Sequence, residues 1–361
     1  MQPFSLVRPT TLAQASDLVH LAKRGAPAIR AGGIDLLDRM KEGIDTPDLL
    51  VELRRITATN DLPALHGITT GSLTGSPSDS QDAWTIGALT TLAEIGRAEL
   101  DGAEALSQAA GQAATPSIRN TATLGGNLLQ RPRCWYFRKR ELLCLKKGGD
   151  LCLAIAGDNR YSAILGGGPS YIVHPSSLAT ALLALDATVT LTLTRAQAPP
   201  TAGPQAPNAL TAPTRTLPLA DLFADPRVDP LREHSLEPGQ ILVATAIPRM
   251  PGMRSAYQAV REKQSHDWPL AEAAVRMHID ADGRMRQVRV ALGHVAPIPW
   301  LATEAAAILE GQTPSGPRFA EAAAAALADA RPLGGNGYKV RLSRGLLREV
   351  LHRASGLPLP A

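Results

Sequence analysis

Two pairs of adjacent glycines and three clustered cysteines are the residues of this 361-residue chain best suited to chemistry. Ala31-Gly32-Gly33 follows the short run Ala28-Ile29-Arg30, and a second pair lies in Thr123-Leu124-Gly125-Gly126-Asn127. Consecutive glycines after a strand let the backbone approach a ligand and adopt positive φ without a Cβ clash. Free N–H groups at such a turn, backed by a helix N-terminus, suit a diphosphate. Neither pair belongs to a GxGxxG or Walker sequence, and either alone reads more readily as a structural turn than as a ligand loop. The cysteines, Cys134, Cys144 and Cys152, all fall within 19 residues. An odd, clustered set fits a metal or cluster site better than a disulfide framework. Close CxxC or HxxxH pairs, the usual mark of zinc fingers, are missing. Iron–sulfur clusters accept more varied spacings.

Seven basic residues lie between Arg131 and Lys147 against one acid, Glu141. No matching aromatic platforms or basic stripes occur elsewhere, so a nucleic-acid surface is not indicated. The charge reads as a counterpart to an anionic cluster, a docking face or a solvated loop.

The elements that must position these residues follow from periodicity. Residues 11–24 form a predicted helix ended by Gly25, followed by a strand at 28–30, a helix over Asp35–Lys41 and a strand over Leu49–Leu53. The first ~55 residues thus read as a small α/β unit. A strand is expected at Trp84–Gly87, and Thr91-x-x-Glu94 matches a capping box. The small-residue run Ala103–Ala114 predicts a helix stopping before Pro116. His174-Pro175-Ser176 opens a helix through Leu185, and Ala187–Leu193 alternates as a strand. Residues 196–213, rich in Pro, Ala and Thr, read as a loop. A strand at Ile241–Thr245 ends near Pro248, then strands around 271–278 and 286–292 precede two or three helices reaching residue 355.

A chain of this length exceeds one hydrophobic core, so two or three domains are expected. Its 44% hydrophobic and 19% charged residues are ordinary for a globular protein. An aromatic content of 4% argues against a nucleic-acid or carbohydrate binder that works by stacking, and a net charge of +4 is too small and dispersed to imply a polyanionic partner. No apolar run approaches the ~18 residues that span a bilayer, so no membrane insertion is expected. Met1–Pro9 lacks an apolar core followed by a cleavage site. The expected compartment is the cytoplasm, or the periplasm if the folded chain is exported with a partner.

The glycine pairs have particular neighbours. Ala31-Gly32-Gly33-Ile34-Asp35-Leu36-Leu37 and Ile118-Arg119-Asn120-Thr121-Ala122-Thr123-Leu124-Gly125-Gly126-Asn127 resemble the two flavin loops, AGGTDLL and IRNxATxGGN, of the FAD subunits of the xanthine oxidase (molybdenum hydroxylase) family. The resemblance runs over nearly the whole chain, through His174-Pro175-Ser176, Leu236-Glu237-Pro238-Gly239-Gln240-Ile241-Leu242, Ala291-Leu292-Gly293 and Ala296-Pro297. It implies an α+β architecture. A vanillyl-alcohol-oxidase (PCMH)-type FAD domain would have subdomains at 1–57 and 58–248, with the cysteine insert at 131–172. A C-terminal α+β domain at 249–361 would resemble that of the CO dehydrogenase flavoproteins.

The resemblance further implies that Ala31, Gly32, Gly33, Ile34, Asp35 and Leu36, then Thr123, Gly125, Gly126 and Asn127, contact FAD. Ile34 stands where the family has Thr, and Ser177 stands where its PSD motif has an acid. Ser177 is expected at the flavin edge. Lys263, in the stretch from Tyr257 to Pro269, is expected near the isoalloxazine, where it would favour a reduced anionic flavin, or else exposed and salt-bridged. The Gln130–Phe137 and Gly168–Pro175 stretches resemble a subgroup with an inserted [4Fe–4S] cluster, which includes 4-hydroxybenzoyl-CoA reductase and some bacterial aldehyde oxidoreductases. That makes Cys134, Cys144 and Cys152 cluster ligands, with Ser170 (Tyr171 by a one-residue shift) at the fourth position. A [4Fe–4S] cluster with one non-thiolate ligand, a [3Fe–4S] cluster, zinc and an insert without metal all remain open.

The implied function is electron transfer within a heteromer. A large molybdopterin-binding subunit would oxidise an aldehyde or aromatic N-heterocycle. A small subunit would pass electrons through [2Fe–2S] clusters to FAD here, and on to an external acceptor. The chain lacks a molybdopterin-subunit signature and plant-type ferredoxin cysteine spacing, and it has no Ser–His–Asp or HExxH pattern. His66, His174, His266 and His294 read as structural. The competing readings are a self-contained flavin oxidase of the vanillyl-alcohol-oxidase superfamily and a decayed, non-enzymatic assembly subunit.

Overall fold

The computed structural model describes residues 1–20, 27–56, 65–72, 82–193, 213–263 and 266–359. Strand β1 (Ser5–Val7), helix α1 (Leu12–His20), β2 (Ala28–Arg30), α2 (Ile34–Lys41) and β3 (Leu49–Glu52) build the first unit. Its sheet has the order β1-β3-β2, parallel throughout, with helices making the crossovers that parallel pairing requires. The predicted helix at 11–24 is thus seen to His20; its last residues and Gly25 lie outside the described residues.

The next stretch contributes β4 (Ile68–Ser72), β5 (Asp82–Gly87), α3 (Leu92–Arg97), α4 (Glu104–Gln112), α5 (Pro116–Arg119), α6 (Leu124–Leu128), α7 (Trp135–Arg138), α8 (Ser177–Ala184), β6 (Thr188–Thr192), β7 (Thr214–Pro218) and β8 (Leu242–Pro248). Its five strands pair antiparallel in the order β4-β5-β8-β6-β7. The capping box is present: Thr91 Oγ1 accepts from the Glu94 N–H, and Glu94 Oε2 accepts from the Thr91 N–H at 2.7 Å. Except for Pro213, the 196–213 loop lies outside the described residues. Leu12, Ala15, Val51 and Ile56 share a core with Leu89, Ile241 and Val243, which seats the first unit on the second.

The C-terminal part forms β9 (Met253–Arg261), β10 (Pro269–Ile279), β11 (Met285–Gly293), β12 (Trp300–Leu301), α9 (Thr303–Leu309), α10 (Gly316–Ala325) and α11 (Tyr338–Ser355). The sheet order is β12-β11-β10-β9, antiparallel. Alternate side chains divide between its faces, as the strand period of two requires. Tyr257, Ala259, Ala274 and Ala291 join the core around α4 and α8. Ala256, Ala273, Val275, Val290 and Leu292 pack with the C-terminal helices instead. Helix α8, buried at all eight positions, is therefore clamped between α4 and this sheet.

The cysteine-bearing insert is tied to all three parts. Glu233 pairs with Arg131 at 2.9 Å and with the buried Lys146 at 2.8 Å. Arg133 and Arg138 reach Asp35 and Asp38 on α2, and Arg138 also reaches Glu42. Four of the seven basic residues are thus paired with acids within the chain, while Lys139 and Arg140 are exposed to solvent. At the other end, Lys339 Nζ donates to the carbonyls of Tyr161, Ser162 and His294, and Asn336 Nδ2 donates to those of Ser162 and Ala163.

Candidate functional site

A cleft of about 1140 Å³ opens where the three parts meet. That is slightly above the ~300–1,000 Å³ of pockets for drug-sized ligands, a size suited to a dinucleotide. The first glycine loop and α2 form one wall. Gly33 is the N-cap, left-handed at φ 78°, and no side chain caps the helix. The first-turn N–H groups of α2 have no intrahelical partner and lie at the positive end of the helix dipole, an anion-binding arrangement. Gly32 abuts the second loop: a Cβ there would overlap the Thr121 carbonyl oxygen and lie 3.1 Å from its carbon. Ala31, Ile34, Asp35 and Leu36 also line the cleft.

The second loop is organised differently from the sequence expectation. Thr123, Gly125, Gly126 and Asn127 do line the cleft. Yet Thr123 is the N-cap of α6, and neither glycine has positive φ. The donors are already engaged: Leu124 N–H to Thr90 O at 2.9 Å, Gly125 N–H to Ala88 O at 2.8 Å, Gly126 N–H to Thr123 Oγ1 at 3.2 Å and Asn127 N–H to Thr123 O at 2.8 Å. Gly125 is needed for close approach, since its Cβ would sit 3.1 Å from that of Ala88. The open donors therefore belong to the first loop, while the second supplies a smooth, tightly packed wall.

Asp35 shows a further departure. Burial pulls its carboxyl upward, but the guanidinium groups of Arg39, Arg133 and Arg138 outweigh this and hold it below the ordinary range. It also accepts from the Arg131 N–H at 3.1 Å. Its side chain is a clasp between α2 and the insert, with its oxygens already occupied.

Ser177 lines the cleft and donates a short hydrogen bond to Glu272. Glu272 is fully buried and also accepts from Tyr257 Oη at 2.7 Å and Thr180 Oγ1 at 3.1 Å. Burial, with Glu272 beside it, pushes the Tyr257 phenol well above its ordinary value. The Glu272 carboxylate therefore stands one hydrogen bond behind the serine. Sequence reading passed over Glu272; its signal was a lone acid inside the otherwise apolar Leu270–Val275 run. Asn127 Oδ1 accepts from Ser176 Oγ at 2.6 Å, joining α6 to the start of α8.

Lys263 is exposed and stands outside the cleft wall, which Arg261, His266, Asp267, Trp268 and Pro269 form instead. Strand β9 ends at Arg261, whose guanidinium donates to Gln112 O and Asp267 O, so the chain turns away before Lys263. Leu236 through Leu242, quoted for resemblance but given no role, line the cleft at all seven positions. So do Arg232 and His234, the latter pushed down to about 4 by burial.

All three cysteines are free thiols, Cys144 and Cys152 buried and Cys134 partly so. Burial, reinforced by the nearness of Cys152 and Cys144, pushes the Cys134 thiol up. Ser170 is fully buried, and its Oγ has no hydrogen-bond partner. Among the described residues, no three or more His, Cys, Asp or Glu side chains gather as a metal-ion site.

A cleft walled by two glycine loops beside an α/β unit, with a separate antiparallel sheet and helices behind, has the size and the open backbone donors for a dinucleotide. The family described as the FAD binding domain in molybdopterin dehydrogenase matches residues 2–199, and the CO dehydrogenase flavoprotein C-terminal domain matches residues 255–354. This chain belongs to that family: it is an FAD-binding oxidoreductase subunit of the molybdenum hydroxylase class. It is 34% identical over 360 residues, 98% of this chain and 99% of the relative, to the aldehyde oxidoreductase FAD-binding subunit PaoB of Escherichia coli (strain K12). The nicotinate dehydrogenase FAD-subunit of Eubacterium barkeri is 30% identical over 130 residues, 36% of this chain and 39% of the relative. The fold matches carbon monoxide dehydrogenase from Hydrogenophaga pseudoflava with a TM-score of 0.68 at 23% identity, covering 99% of each chain. Quinoline 2-oxidoreductase from Pseudomonas putida 86 gives 0.67 at 19% identity, covering 99% of this chain and 98% of that one. Among the described residues no helix is long and apolar enough to cross a membrane.

Proposed function

We propose that this chain is the electron-relay subunit of a heteromeric molybdenum hydroxylase acting on an aldehyde or an aromatic N-heterocycle. A large molybdopterin-binding subunit and a small [2Fe–2S] subunit would be its partners. The observation that carries the reading is the cleft with the uncapped N-terminus of α2 in its wall. The similarity to FAD subunits of an aldehyde oxidoreductase and a nicotinate dehydrogenase supports the substrate class. Bound FAD would supply the exchange between the partner's one-electron centres and an external acceptor. Gly32, Gly33, Ile34 and Asp35 would present backbone donors to its diphosphate, with Ala31 and Leu36 closing that wall. Thr123, Gly125, Gly126 and Asn127 would pack against it, and Ser177, held by Glu272, would offer its hydroxyl at the flavin edge. We take 1–57, 58–248 and 249–361 as the three units, supported by each sheet staying within one of them, and the cytoplasm as the compartment.

The test is the purified chain. Flavin bands that extract as FAD at one per chain are expected; a colourless, folded chain would sink the proposal. The heteromer should lose dye-coupled turnover without this chain.

An iron–sulfur cluster held by Cys134, Cys144 and Cys152, with Ser170 at the fourth position, is part of the same reading. The nearness of Cys152 and Cys144 to Cys134 and a fully buried serine hydroxyl without a hydrogen-bond partner support it, while among the described residues no three such ligands gather closely enough to hold an ion as they stand. The cluster would supply one-electron transfer, and a serine oxygen is a weaker ligand than a thiolate. Ser170→Cys is therefore expected to raise iron and sulfide content toward four of each per chain, with a matching low-temperature EPR signal. Iron-free protein from anaerobic preparation of both forms would refute the cluster.

A further inference from the structure

A second cavity, of about 250 Å³, shares a wall with the flavin cleft. Arg133, Pro175, Asp267, Trp268 and Pro269 line both. The smaller cavity is otherwise built from the insert and the C-terminal sheet, and it is rich in aromatic rings: Trp135, Tyr136, Tyr161, Tyr171 and Trp268. Trp135 stands edge-on to Tyr161 with ring centroids 5.4 Å apart, and the Arg133 guanidinium lies 4.7 Å from the Trp268 ring. Trp135 is 38% exposed, so this end reaches the surface. In a chain with so few aromatic residues, five at one small cavity select a flat, unsaturated ligand.

The polar groups narrow the class. His294, 4% exposed and held at a left-handed φ of 57°, lines the cavity. Its ring bonds the Pro175 backbone, while Nε2 has no hydrogen-bond partner. Glu272 Oε1 is 3.6 Å from Nε2, beyond hydrogen-bond reach. Arg133 Nε is also buried and without a partner. One unused donor and one unused imidazole nitrogen thus belong to residues that line the cavity. Asp158, Glu262 and Asp267 line it too, which disfavours a phosphate-bearing acceptor such as a nicotinamide dinucleotide.

We infer that this cavity is the acceptor site: it takes a neutral one- or two-ring quinone, packed among the aromatic rings and addressed by Arg133 and His294, with the flavin across the shared wall as its reductant. The inference rests on FAD occupying the larger cleft. The quinone takes two electrons and one proton from the reduced flavin anion and a second proton from water. Its two carbonyls become two hydroxyls, and the flavin returns to the oxidised form. The quinone oxygen accepts from Arg133 Nε, and the quinol hydroxyl donates to His294 Nε2.

The experiment uses the full chain loaded with FAD, reduced with dithionite, and reoxidised by menadione or by ferricyanide, which needs no binding slot. Menadione rates are expected to saturate, and oxidised menadione should quench tryptophan fluorescence with the same half-point. Val173→Trp fills the cavity and should lower the ratio of menadione to ferricyanide rates at least tenfold while abolishing the quench. Trp135→Ala, a milder change, should raise the half-saturating menadione concentration several-fold without lowering the limiting rate. A strictly linear menadione dependence without quenching overturns the inference, as does an equal fall of both rates in Val173→Trp with flavin still bound. A chain that never holds FAD removes both readings and is told apart by its missing flavin bands.

Discussion

Replacing Gly32 by alanine is expected to strip the chain of most of its FAD. The new Cβ would run into the Thr121 carbonyl and come within 3.2 Å of Ala122 Cα, backbone atoms that no rotamer change can clear. One loop must retreat from the other, and these loops form facing walls of the cleft. Overpacking of this kind costs about 1–3 kcal/mol, which, if taken from binding, is roughly a five- to 150-fold rise in FAD Kd. Flavin content after gel filtration and a fluorescence titration of apoprotein measure it. Gly345→Ala is the control, since nothing lies within 4 Å of its Cβ position on α11. It should gain about 0.8–1 kcal/mol of helix propensity and leave the flavin in place. Wild-type FAD affinity in Gly32→Ala would mean that the two loops need not touch.

Asp35→Ala should be the most destabilising single substitution on α2, and its cost should depend on pH. The carboxylate bridges Arg39, Arg133 and Arg138, and the side chains of Arg39 and Arg138 are about as buried as its own. Removing one partner of a buried ion pair costs about 3–5 kcal/mol. The lower end applies here, because each arginine keeps another acid: Asp45 for Arg39, Asp38 for Arg133, and Asp38 and Glu42 for Arg138. The folded-state pKa of Asp35 is depressed, so its contribution is fully present above the unfolded value of about 3.9. It is lost as pH falls through the folded value. Glu233 shifts in the same direction, its burial outweighed by Arg131 and Lys146, and loses its contribution in the same acid window. Urea denaturation of wild type and variant at neutral pH, and again below about pH 4, tests this. The gap between the curves should narrow in acid; a constant gap would show that Asp35 acts through packing alone.

Features carried by neighbouring residues were legible in the sequence. Thr91 and Glu94 cap their helix within four residues, and the alternation of 187–193 marks β6 from its own side chains. The glycine loops were found by order and neighbours. Their division of labour was not, because the partners of the second loop's N–H groups, Ala88 and Thr90, belong to a different turn. Asp35 was read as a flavin contact, while its arginine partners in the insert lie 96 to 103 positions away and leave no local trace. Glu272 and Ser177 are separated by 95 residues, so an acid lost from one motif and present on a distant strand reads as two unrelated facts. Of the two positions expected for Lys263, the exposed one is found. A charged residue beside a flavin-like segment looks purposeful until the strand is seen to end at Arg261.

The anchoring of the insert by Lys339 sets a timetable for the nascent chain. The bond from Lys339 to Tyr161 O spans 178 residues, and the bond to Ser162 O spans 177. At about 5–20 residues per second, the ribosome needs roughly 9–36 s to make what lies between. Through that interval the cysteine-bearing segment has been synthesised while its last fastening has not. Until α11 is made, the carbonyls of Tyr161 and Ser162 wait for the ammonium group that ties this end of the insert to the C-terminal helix.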